Sequence, residues 1–185
     1  MRKIIVTLVL GILSIYSLHV FSGSESEHHH TAHVHGEALL NLAIDKNTVL
    51  IEFESPAMNI IGFEHEPRTE EQINITKETN ERLKNYNSVL TIPGSQCKQT
   101  DSTLEFAHDV DDEEEHHHDD HHEHEEVHSD YHLQYTVSCE SLADLKIHIN
   151  LFKHFPGIEH LDLNWINEQK QGKLELTSEN NIIEF

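Results

Sequence analysis

The sequence predicts an α+β domain: a mostly antiparallel sheet, one main helix, and a disordered hairpin tip rich in His, Asp and Glu. Three observations carry this. Short runs along the chain alternate apolar and polar residues, the period of a half-buried strand. A helix start signal stands out after Thr69. Residues 108–132, HDVDDEEEHHHDDHHEHEEVHSDYH, hold nine His, twelve Asp or Glu and no Lys or Arg. Such a run has too little apolar surface to offset the entropy of ordering it, so it is expected to stay solvated outside the core.

At the N-terminus, Arg2 and Lys3 precede the apolar run IIVTLVLGILSIYSLHVF, which ends at the small residues Ser22, Gly23 and Ser24. This is the layout of a secretory signal peptide over residues 1–22. Residues 23–185 are then one exported domain, with 108–132 as its insert; 185 residues fit a single domain. The competing reading is an uncleaved membrane anchor, since the run approaches spanning length. No later segment is apolar enough to span a bilayer, so no stable membrane insertion is expected after cleavage.

The formal charge is −22 with His neutral. Without residues 1–22, 10 Lys or Arg face 34 Asp or Glu, a formal −24. That argues against nucleic acid as a partner, because its recognition needs a basic face, and favours cations.

Residues 25–35 read ESEHHHTAHVH. His28, His29 and His30 form a short cluster. His33 and His35 lie two apart, so on a strand they project from one face and can chelate one ion. After Gly36, ALLNLAID, a turn at Lys46 and Asn47, and TVLIEFES read as a β-hairpin with Val49, Ile51 and Phe53 on one face and Glu52 and Glu54 on the other. Pro56 stops it.

Residues 55–68, SPAMNIIGFEHEPR, form an apolar connection ending in Glu64, His65 and Glu66. It is either a packed corner with a wet tip or one wall of a metal site. Thr69, followed by Glu70, Glu71 and Gln72, is a capping box. The helix it starts is expected to run to about Val89, burying Ile73, Leu83, Tyr86 and Leu90, with Pro93 and Gly94 beyond its end.

Cys97 and Cys139 are the only cysteines, and an even count in an exported chain favours one disulfide. If strands near 97–107 and 131–140 pair antiparallel with Cys97 opposite Cys139, paired numbers sum to 236 and the midpoint is 118, inside the His tract. The tract would then be the tip of a long hairpin closed at its base. The alternative, thiolate metal ligation, needs reduced cysteines and lacks a C-x-x-C pair. Leu133, Tyr135, Val137 and Cys139 alternate as a half-buried strand. Residues 145–152 alternate again, Leu161, Leu163 and Trp165 form another strand, a turn over 167–172 returns the chain through residues 173–176, and 182–185 closes it.

Neutral imidazole is the commonest side-chain ligand of zinc, copper and nickel, and carboxylates ligate or orient the ring. The tract's His108, His116, His117, His118, His121, His122, His124, His128 and His132 are therefore candidate ligands. An expression tag would be terminal, and an acidic linker has no need of His. A structured site is expected at His33, His35 and His65. Zinc takes three or four protein ligands, so the tract could hold on the order of two or three ions. Imidazole does not select zinc over copper or nickel. A zinc hydrolase would need three fixed ligands, an open position and a base; the chain has no G-x-S-x-G, so it reads as not an enzyme. His148, His154 and His160, six apart, read as surface or core-edge residues rather than ligands.

Together, the export signal, AHVHG at 32–36, SPAMNIIGFEH at 55–65, the His/acid insert between two cysteines, and LFKHFPGIEHLDLNW at 151–165 resemble the ZrgA family of zinc-regulated periplasmic proteins, formerly a domain of unknown function. The likeness covers the mature chain. A His tract also occurs in the periplasmic binding component of zinc ABC importers, but this chain is too short for their two lobes and linking helix. The resemblance implies a periplasmic zinc-binding accessory of zinc uptake that hands its ion to such a binding component. The alternative is a periplasmic buffer that sequesters excess zinc, copper or nickel. The tract departs from the family's His-Asp repeats in its runs of Glu and Asp.

Overall fold

The architecture was read from a computed structural model that describes residues 34–109 and 128–185, with backbone alone at 107–109 and 128. They lie in one unit spanning Ala32–Phe185. Nine strands and three helices are described: β1 (Glu37–Asp45), β2 (Thr48–Pro56), α1 (Ala57–Ile61), α2 (Glu70–Leu83), β3 (Leu90–Thr91), β4 (Cys97–Asp109), β5 (His128–Cys139), β6 (Lys146–Ile149), α3 (Leu151–His154), β7 (His160–Asn167), β8 (Gln171–Leu176) and β9 (Ile182–Glu184). The expected α+β class with a mostly antiparallel sheet is what forms.

The large sheet has the order β4-β5-β2-β1-β7-β8, and a small one the order β3-β6-β9. The first hairpin forms as the alternation predicts, with Lys46 at φ 50° in the turn. Val49, Ile51 and Phe53 are buried beside Tyr131, Leu133, Tyr135 and Val137 of β5. Each such side chain withdrawn from water contributes roughly 1.5–3 kcal/mol.

Four features depart from the sequence reading. First, β7 pairs with β1 in parallel, Ala38 opposite Leu161 and Leu40 opposite Leu163. A parallel neighbour so distant in sequence leaves no mark on local periodicity. Second, the last strands do not all join one sheet, because β6 and β9 pair with each other and with β3. Third, α2 starts on the expected capping box, Thr69 accepting from the Gln72 amide, but ends at Leu83. A separate 3-10 turn covers Tyr86–Ser88, nucleated by Asn85, whose side chain accepts from the Asn87 amide. Leu83, Tyr86 and Leu90 are buried as expected, whereas Ile73 is 52% exposed. Fourth, residues 151–152 are not strand but open α3, where Leu151 and Phe152 turn into the core.

Helix α2 is held against β5 by two tyrosines one helical turn apart along it. Tyr131 Oη donates to Asn80 Oδ1 at 3.0 Å, and Tyr135 Oη donates to the Leu83 carbonyl. Burial pushes both phenols well above their usual range.

The long hairpin forms with the expected Cys97–Cys139 disulfide at its base, which corrects the thiolate alternative. Pairs sum to 236 as far as Gln99 opposite Val137; a bulge at Thr100 then shifts the register by one, to Asp101 opposite Thr136 and on to Asp109 opposite His128. Thr100 Oγ1 donates to the Thr136 carbonyl at the bulge. The ends of the stretch expected outside the core, 108–132, instead belong to this hairpin: residues 108–109 are in β4 and 128–132 in β5, where Ser129, Asp130 and Tyr131 are buried.

A candidate metal centre at the Gly36 turn

Three stretches distant in sequence meet at one buried amide. Asn59, on α1, is 4% exposed. Its Oδ1 accepts from the Gly36 amide at 2.8 Å, and its Nδ2 donates to the Glu37 carbonyl at 2.8 Å and to Ser55 Oγ at 3.2 Å. The network fixes which end of the amide is which. Gly36, at φ +90°, is where an L side chain would be strained. Its carbonyl accepts from the amides of Glu159 and His160. At Gly157 a Cβ would stand 2.6 Å from the Asn59 carbonyl oxygen, so only glycine lets this loop pack there. The segment at 55–68 is thus the packed corner, with a short helix the alternation did not signal; Ala57, Ile60, Ile61 and Phe63 are buried.

The wet tip of that corner carries the chemistry. Glu64 Oε1 lies 2.8 Å from His35 Nε2, with side-chain exposures of 12% and 54%. A carboxylate only accepts, so Nε2 donates and Nδ1 keeps the lone pair that a metal needs. The Glu159 side chain lies over the same turn, its carboxyl carbon 3.6 Å from where a Gly36 Cβ would stand. Ser129 Oγ, 1% exposed, donates to the Glu64 carbonyl. That bond ties the site to β5 one residue from His128, at the root of the insert.

His65 is held separately. Its Nδ1 donates to the Glu66 carbonyl at 2.8 Å and its ring stacks on Phe63, centroids 5.3 Å apart, which leaves Nε2 as acceptor. His132 sits between two acids in one cross-strand row, opposite Glu105 on β4 and Glu54 on β2. Its Nδ1 is 3.8 Å from Glu54 Oε1, an ion pair too long for a direct hydrogen bond. Glu54 foremost, then Asp130 and Glu105, hold the imidazole above its ordinary value, and His132 in turn lowers Glu54.

The other candidates divide plainly. His28, His29, His30, His33, His116, His117, His118, His121, His122 and His124 lie outside the described residues, and at His108 and His128 only the backbone is described, in β4 and β5. Among the described residues, no three His, Cys, Asp or Glu are gathered closely enough to hold an ion by themselves. His148 lies on β6, His154 on α3 and His160 on β7. Arg82 Nη1 donates to His154 Nδ1 at 3.0 Å, and burial, then Arg82 and Lys153, lower that imidazole. His160 pairs with Glu175 at 2.9 Å. Glu64 ends the segment that the sequence offers as a possible wall of a metal site, whereas nothing marks Glu159; the H-x-H-G and G-F-E-H spacings carry no information about which ends meet.

Among the described residues no helix is long and apolar enough to cross a membrane. A family model described as ZrgA family zinc uptake protein matches residues 32–185. No curated protein matches the chain.

Proposed function

The chain belongs to the ZrgA family of zinc uptake proteins, and on that footing we propose that it captures zinc in the periplasm and hands it to the binding component of a zinc ABC importer. Residues 1–22 direct export and are removed. The His/acid insert, 108–132, and the His28, His29, His30 cluster gather zinc with exchangeable ligands. His33, His35 and His65 form the tighter site, with Glu64 holding the His35 ring at the Gly36 turn. The protein carries zinc as cargo and does no chemistry on a substrate.

The observation that supports this reading is the His35–Glu64 contact on a turn locked by Asn59 and linked through Ser129 to the root of the insert. A ring whose tautomer is already set loses less entropy on ligation than a ligand on an unstructured arm. Its single-residue neighbourhood to β5 gives captured ions a short path from insert to turn.

Calorimetric zinc titration of the intact protein, a deletion of residues 110–127, and His35→Ala/Glu64→Ala tests the division. The deletion is expected to remove more than half of the bound zinc and keep the tightest class; the double substitution is expected to remove that class. The reverse pattern overturns the placement. A deletion strain failing only under chelation supports uptake, and one failing only in excess zinc supports buffering.

A further inference from the structure

Strand β8 ends the large sheet, and among the described residues it has β7 on one side and no strand on the other. The turn before it closes with the Asn167 amide donating to the Lys170 carbonyl. Hydrogen-bonded pairs alternate in an antiparallel ladder, so Trp165 with Gly172, Leu163 with Leu174 and Leu161 with Leu176 exchange bonds across β7 and β8. The main-chain groups of Gln171, Lys173 and Glu175 therefore face outward. An edge of this kind is a template for another strand.

The side chains along the edge are arranged about a centre. Lys173 and Glu175 flank Leu174, which is 42% exposed on the core side of the sheet. Place a second copy of β8 antiparallel with Leu174 opposite itself: Lys173 then faces the copy's Glu175, and Glu175 its Lys173. Both pairs fall on residues whose amides and carbonyls point outward, which is the phase that main-chain bonding requires. Two such pairs supply four main-chain bonds. The two leucines meet on the apolar face, where they prolong the cross-strand row of Leu40 and Leu163. Shifting the register by two residues in either direction loses at least one ion pair and the leucine contact together. Asp162, 2.7 Å from Lys173, and His160, 2.9 Å from Glu175, lie on the same face on β7, so the pairs across the axis form by sharing or exchanging these contacts.

We infer that two copies of this chain pair through β8, joining their large sheets into one continuous sheet about a two-fold axis at Leu174. The proposal is independent of where zinc binds. The protein's net charge of −22 opposes association, so the edge must be matched rather than merely open, and pairing is to be measured at physiological ionic strength, where the longer-range repulsion is screened.

The test is sedimentation equilibrium of the intact protein with chelator present, which removes zinc bridging as a route to dimers. A concentration-dependent dimer is expected. Lys173→Pro removes an outward amide without touching a β7 bond and is expected to yield monomer. Lys173→Glu sets like charges across the axis and should weaken the dimer about tenfold or more. Adding Glu175→Lys restores opposite charges between copies and is expected to recover the dimer; because position 175 lies opposite Asp162, the comparison is made in an Asp162→Asn background, where that carboxylate cannot take the new charge. Leu174→Cys should give a self-disulfide under mild oxidation, and Gln171→Cys should not. A wild-type protein that stays monomeric at high concentration overturns the inference, as does a dimer indifferent to these changes.

Discussion

Asn59→Ala tests whether the Gly36 turn is built as described. The substitution removes an acceptor from the Gly36 amide and a donor from the Glu37 carbonyl, at 2.8 Å each, and a third bond to Ser55 at 3.2 Å. The residue is 4% exposed, and each buried group left without a partner costs about 1–3 kcal/mol. Water reaching the half-exposed turn recovers part of that, so a net loss of about 2–4 kcal/mol is expected. At a urea slope of about 2 kcal/mol per M, the unfolding midpoint falls by about 1–2 M. The functional consequence is separate. Freed from Asn59, the turn no longer holds His35 against Glu64, so the tightest zinc class should weaken in calorimetry under conditions where the variant is still folded. Asn59→Asp keeps the acceptor for Gly36 but sets a carboxylate against the Glu37 carbonyl, and should be at least as damaging. A midpoint shift corresponding to less than about 1 kcal/mol, or an unchanged tight class in folded Asn59→Ala, would refute the reasoning.

Two further outcomes follow. Removing the crosslink between Cys97 and Cys139, 42 residues apart, with the double serine variant should lower stability by about 2–4 kcal/mol; free thiol detected in the folded wild-type protein would contradict the crosslink. In an NMR titration, His132 should titrate above the usual 6.5 and His154 below it. His132 binds its proton more tightly folded than unfolded, so its contribution is complete below pH 6.5 and lost as pH rises through its folded value. His154 has the opposite sign: its contribution is present above 6.5 and is lost as pH falls through its folded value, where the ring can no longer accept from Arg82. Coincident titration of the two rings would show that neither Glu54 nor Arg82 is placed as described.

The structure also redraws a deletion that the sequence suggests. Replacing residues 107–131 by a short turn looks harmless where the composition is read alone, but Ser129 and Tyr131 are 1% and 0% exposed, one holding Glu64 and the other α2. Tyr131 belongs to a strand that begins three residues earlier than the hydrophobic pattern shows, because the inward position before it is the polar Ser129 and Asp130 beside it is buried as well. The cut therefore belongs at 110–127.

Local pattern determined what depends on near neighbours. The period-two runs specified the first hairpin and β5, the capping box at Thr69 specified the start of α2, and two cysteines whose midpoint falls inside a polar tract specified a closed hairpin to within the one-residue bulge at Thr100. Each of these is set by a few consecutive residues or by one pairing whose ends the sequence marks. Tertiary structure alone decided the parallel β1–β7 pairing, the separate small sheet, and the approach of Glu64 to His35 and of Glu159 to the Gly36 turn that Asn59 fixes. Those contacts join residues up to 123 positions apart (Gly36 to Glu159), and they depend on which buried faces match once the core closes. No spacing rule encodes that, since Gly157 matters only for the Asn59 backbone that comes to lie against it.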